Sequence, residues 1–124
     1  MKFPILNISI LSLNSNFLEV LHIGDYWDYP NNKHIFDRYY LHHKYVDQQG
    51  QIFRLIGKSK SNIINRILHF KSEQLYFDDT HKSIDFDELK DLLLKRYDTL
   101  DEEMSRSVLL RLVQQAKSIK DLIG

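Results

Sequence analysis

Cysteine is missing from this chain, and its absence removes disulfide frameworks, thiolate metal centres and cysteine nucleophiles together. That argues against a small secreted scaffold. Glycine is scarce as well: Gly24, Gly50, Gly57 and Gly124 are the only four, and each stands alone. A phosphate cradle needs clustered glycines so that backbone N–H groups can close around the anion, and a serine-hydrolase elbow needs G-x-S-x-G. Neither occurs. Long apolar runs are missing too. The opening MKFPILNISILSL is interrupted at Asn7, Ser9, Ser12 and Asn14, well short of a bilayer-crossing span, and no small-residue cleavage site follows. These absences together point to a cytoplasmic protein that needs no membrane.

What is present is ordinary in amount and uneven in arrangement. Hydrophobic residues make up 43% and charged residues 27% of 124 positions, enough for one domain, residues 1–124, to bury a core of its own. The formal net charge is zero, so no basic excess recruits nucleic acid through its phosphates. Residues 1–72 nevertheless carry nine Lys/Arg against five Asp/Glu, and residues 104–124 four against one. Between them, residues 73–103 carry four against eleven, a local charge of −7. Gathered on one face, that block favours a basic partner.

The hydrophobic pattern predicts strands first and helices last. Leu6, Ile8 and Ile10 alternate with polar residues at the period of a strand with one buried face. Asn14-Ser15-Asn16 reads as a turn, with Phe17–Ile23 returning as a second strand or a short helix. IFDRYYLHHKYV is rich in residues that suit a pleated surface. Tyr39, Leu41, His43 and Tyr45 are expected on one side of it, and Arg38, Tyr40, His42 and Lys44 on the other. Gly50 ends the following turn, where a positive φ suits a hairpin, and QIFRLIG leads back as the next strand. A short helix capped by Ser61, with Ile63, Ile64, Ile67 and Leu68 on one face, is one reading of residues 58–72. LYF, Leu75–Phe77, is then a strand and DDTHKS a polar turn.

Asp85 with Glu88 three residues later has capping-box spacing ahead of Phe86, Leu89, Leu92, Leu93 and Tyr97. Thr99 to Glu102 repeats that start signal. Leu100, Met104, Val108, Leu112, Ile119 and Ile123 predict one long final helix, with Asp101–Glu103 at its start and Lys120 near its end, as the helix dipole favours. The fold class is therefore α+β, an antiparallel β-sheet of four to five strands with two C-terminal helices packed on one face.

Candidate chemistry is thin. His34, Asp37 and His42 are the nearest approach to a metal or His-dependent hydrolase site, but neighbours His42 and His43 diverge on a strand and His34 is too distant along it. DDTHKSIDFDE fails as a calcium loop, because Ser83 stands where the turn glycine belongs and Leu89 where the bidentate Glu belongs. Arg38, Tyr40 and Lys44 make a nominal stacking surface for single-stranded nucleic acid. GDYWDYPNNKH, Gly24–His34, is the densest feature, and Trp and Tyr are common interface anchors. The expectation is that Trp27 packs inward while Tyr26 and Tyr29 form a rim.

The layout YVDQQGQIFRLIGKSK followed by LYFDDTHKSIDFDELKDLLLKRY resembles small bacterial immunity proteins of contact-dependent toxin systems. A D-x-x-G hairpin, a strand, an acidic turn and an F-D-E-L-K helix start carry the likeness, over about half the chain. The resemblance implies a protein that blocks a toxin by binding it, with no catalysis and no cofactor of its own. Acidic inhibitors commonly oppose a basic active site in this way, which speeds association. The expected binding residues are Tyr26, Tyr29, Asp78, Asp79, Asp85, Asp87 and Glu88, and the expected partner is another protein, such as a basic toxin domain.

Overall fold

The computed structural model describes residues 1–12, 22–60, 73–100 and 103–124. A five-stranded antiparallel sheet is formed by β1 (Ile5–Asn7), β2 (His22–Ile23), β3 (Lys44–Val46), β4 (Gln51–Lys60) and β5 (Glu73–Ser83), in the order β2-β1-β3-β4-β5. Helix α1 (Lys33–Tyr39) precedes β3, and α2 (Phe86–Thr99), α3 (Glu103–Gln115) and α4 (Ile119–Ile123) close the chain. This is the expected α+β class. No helix among the described residues is long and apolar enough to cross a membrane.

The β3–β4 hairpin forms where the turn chemistry places it. Gly50 has φ +83°, and the Asp47 carboxylate accepts from Gln49 N and Gln51 N at 2.9 and 3.0 Å. A side chain at Gly50 has no room: its Cβ would lie 2.6 Å from the Ile84 carbonyl oxygen and 3.0 Å from Ile119 Cδ1. Phe53 and Leu55 are buried while Arg54 and Ile56 are exposed, the alternation expected of this strand.

Strand β1 departs from simple alternation. Ile5, Leu6 and Asn7 are all buried, and Ile10 lies in a 3-10 turn, Ile10–Ser12. Its neighbour β2 pairs back antiparallel, Ile5 with Ile23 and Leu6 with His22. The remainder of the Phe17–Ile23 segment and the helix expected from Ser61 lie outside the described residues, as do Asp101 and Glu102.

Residues 35–39, expected in a strand, are helical and belong to α1. Asn32 caps α1, its side-chain Oδ1 accepting from Ile35 N at 3.2 Å. Phe36 and Tyr40, one helical turn apart, stack with centroids 6.0 Å apart, and Tyr29 meets Phe36 edge-on at 5.8 Å. Tertiary burial of one aromatic stripe thus overrides the strand preference of the composition. His42, with φ +65°, separates this helix from β3.

Two further expectations are corrected. DDTHKS is the end of β5 rather than a turn beyond it: of the two ladder irregularities, at Ile52/Phe53 and at Leu55/Gly57, the first falls here, His81 takes φ +58°, and Thr80 Oγ1 donates to Ile52 O at 2.7 Å. The long final helix is two helices, because Ser118 caps α4 by accepting from Asp121 N. The buried stripe of α3 runs through Leu109 and Val113 instead of Met104 and Val108, which are 73% and 61% exposed. The capping box of α2 is present, Asp85 Oδ1 accepting from Glu88 N at 2.8 Å and Glu88 Oε1 from Asp85 N at 3.4 Å. Leu89, Leu93, Leu109, Val113, Leu122 and Ile123 bring the helices into the same core as Ile5, Tyr45 and Leu55.

Candidate functional site

Among the described residues β5 pairs only with β4, which makes it a sheet edge eleven residues long. Its orientation follows from the hydrogen bonds of its neighbours. Leu55 exchanges backbone bonds with His42 and His43 on the β3 side, and Phe53 faces Tyr45 across the same ladder. Their cross-strand partners on β5, Phe77 and Asp79, therefore turn their N–H and C=O groups away from β4. Leu75, in step with them, donates its N–H to the Tyr26 carbonyl oxygen at 2.7 Å.

Side chains follow the same register. Cross-strand partners share a face, so Tyr45, Phe53, Leu55, Phe77 and Asp79 lie on one side of the sheet. Lys44, Arg54 and Asp78 form a row on the other, with Tyr76 alternating onto the side of Asp78. Tyr76 is 54% exposed and Ile56 40%.

A groove of about 340 Å³ runs beside the edge, lined by Met1, Tyr26, Phe53, Leu75, Tyr76, Phe77 and Asp79 among others. Its aromatic wall is built from distant parts of the chain. Tyr26 meets Phe3 edge-on at 4.7 Å and Phe77 at 6.3 Å, and Phe77 meets Tyr45 at 5.8 Å. Such contacts fix ring positions beyond what burial alone would do. The Asp79 carboxylate accepts from His81 N at 2.8 Å, and the His81 imidazole lies 3.9 Å away.

The expected binding residues thus separate into three places. Tyr26 and Asp79 share the groove, with Asp78 beside them on the opposite face of the same strand. Tyr29 is buried, its hydroxyl donating to Glu73 O at 2.6 Å. The Lys58 ammonium lies 4.4 Å from the Tyr29 ring centroid and 4.2 Å from that of Phe36, and burial, followed by the Glu73 charge, raises the phenol pKa. Asp85, Asp87 and Glu88 are exposed in the first turn of α2, two of them committed to the capping box. Trp27 is half-buried and meets Tyr26 edge-on at 6.3 Å.

His34, Asp37 and His42 are exposed, and among the described residues no group of three His, Asp or Glu side chains is placed to share a metal ion. Tyr40, one of the three nominal nucleic-acid residues, is buried.

One polar cluster escaped the sequence reading. The Asn7 amide nitrogen lies 2.9 Å from His43 Nδ1, 3.0 Å from Tyr39 O and 3.3 Å from the Tyr45 hydroxyl oxygen, while its carbonyl oxygen accepts from Ile10 N at 2.9 Å. The Tyr45 hydroxyl donates to Tyr40 O at 3.3 Å. Burial lowers the His43 pKa and raises that of Tyr45 far beyond its usual range. An Asn7 side chain fixed by Ile10 offers N–H, not oxygen, to Nδ1, which suits a neutral imidazole. This cluster ties β1, α1 and β3 together. Arg96, in α2, is also buried, and burial lowers its pKa.

Comparison with protein-family models, with curated proteins and with solved structures finds no match to this chain.

Proposed function

We propose that this chain is a non-catalytic cytoplasmic protein that works by binding another protein, most concretely as an immunity protein that neutralises a toxin domain of basic charge. The observation that carries the reading is an aromatic-lined groove with Asp79 in its wall and Asp78 on the other face of the same strand, along a sheet edge that is unpaired among the described residues. Exposed carboxylates steer a basic partner, and aromatic side chains held by their neighbours supply desolvated contact area at little entropic cost. Tyr26, Asp78 and Asp79 are its centre. Tyr29 acts from beneath, fixing the first residue of β5 through Glu73. Asp85, Asp87 and Glu88 extend the acidic field toward the start of α2.

The test is capture with tagged full-length chain against the products of neighbouring genes, followed by an assay of the captured protein's toxicity with and without this chain. A stable complex that loses its toxicity is expected. No complex with any of these products counts against protein binding. A complex whose toxicity persists rejects the immunity role.

A further inference from the structure

Phe77 and Asp79 direct their backbone groups outward, while Asp78 presents its side chain on the opposite face of the sheet and Tyr76, which alternates with it, also borders the groove. An extended segment lying along β5 meets unlike surfaces on its two sides. On one side it finds Tyr26, Phe77 and Asp79, on the other Asp78. Successive residues of a strand alternate between those sides. Two consecutive carboxylates on opposite faces are therefore matched by two consecutive basic residues, one reaching each face.

We infer that β5 binds its partner by strand addition, accepting an extended segment that carries two adjacent Lys or Arg residues, with an apolar residue two positions away to enter the groove beside Phe77. This rests on the protein-binding reading and specifies its mode. Backbone bonds to Phe77 and Asp79 supply sequence-independent affinity, and the alternating pockets and charges supply selection. The Leu75 N–H is already held by Tyr26, so the added strand begins beyond that point and covers Phe77 to Asp79. The irregularity near Thr80 and His81 ends the regular stretch on the other side.

A library of random peptides displayed on phage, selected against the full-length chain, tests this. Enriched peptides are expected to share an adjacent basic pair within an apolar alternation of period two. A synthetic copy of the best one is then titrated into wild-type chain and into an Asp78→Asn, Asp79→Asn double variant. Asn keeps an oxygen for His81 N while removing the charges, and thermal unfolding of the variant checks that the fold is retained. Affinity is expected to fall by about tenfold or more in the variant. Hydrogen exchange resolved by residue is the second readout. Bound peptide is expected to slow exchange at the Phe77 and Asp79 amides and to leave Tyr76 and Asp78, which already face β4, nearly unchanged.

Peptides without a basic pair, equal affinity for the two proteins, or protection confined to other residues each overturn strand addition. So do Phe77 and Asp79 amides that are already protected in the free chain, or a β5-to-β5 dimer in sedimentation. None of these outcomes bears on whether capture yields a complex, so the two readings fail separately.

Discussion

At the inner strands, polar groups are buried and met from within the chain; beyond Leu75, the register of β5 turns backbone groups away from every other strand among the described residues. Asn7 contacts four groups drawn from the 3-10 turn, α1, β3 and the residue before it. Phe77 and Asp79, three strand positions outward, carry backbone groups that no strand among the described residues meets. A buried amide left without partners is costly, whereas an exposed one is served by water. The contrast separates what holds this fold from what the fold presents. It also assigns different consequences to substitutions in the two regions.

Asn7→Ala should have the largest effect, lowering stability by about 3 kcal/mol, because it strands the Ile10 N–H and leaves the Tyr39 carbonyl and His43 with lost partners. Chemical denaturation measures it directly. Gly50→Ala should follow at about 2 kcal/mol, since both the positive φ and the nearby Ile84 carbonyl oppose a Cβ. Asp85→Ala removes one half of the α2 capping box and should cost about 1 kcal/mol. A smaller, pH-dependent effect belongs to His43. Its folded pKa lies below the ordinary 6.5, so the unfolded chain binds more protons. Stability is then full above 6.5 and falls as the pH drops below it toward the folded value. His22 shifts in the same direction, and a His43→Gln variant should flatten only part of the slope in denaturation curves recorded across that window. Least affected is the edge: the Asp78→Asn, Asp79→Asn double variant should remain within about 0.5 kcal/mol of wild type. A large loss there would erase the distinction between the two regions.

Much of the fold was legible because local chemistry and tertiary position agreed. The Gly50 turn, the Phe53 and Leu55 face and the Asp85–Glu88 box each need only a few neighbouring residues to be recognised. Where the reading failed, distant partners decided. Ile35 to Tyr39 has the composition of a strand, but Tyr29, Phe36, Tyr40 and Lys58 make it a helix through contacts no short window contains. Asn7 looked like the polar half of an alternation, and only the path of α1 and β3 places three groups around its amide. In α3 the expected stripe holds at Leu112, which packs against the core, but fails at Met104 and Val108, which recur at helical spacing as convincingly as Leu109 and Val113 do. The acidic segment was visible as charge, yet its meaning depends on β5 extending through DDTHKS, which puts Asp78 and Asp79 on opposite faces of one strand. Tyr76, the most exposed aromatic of the edge, had no signal beyond its place in LYF.

The most direct measurement is the affinity of the captured partner for wild-type chain and for the Asp78→Asn, Asp79→Asn variant, by calorimetry at two salt concentrations with unfolding midpoints matched. The account predicts binding weakened by about tenfold or more and less sensitive to salt, at unchanged stability. Equal affinity and equal salt dependence in the two proteins would contradict it.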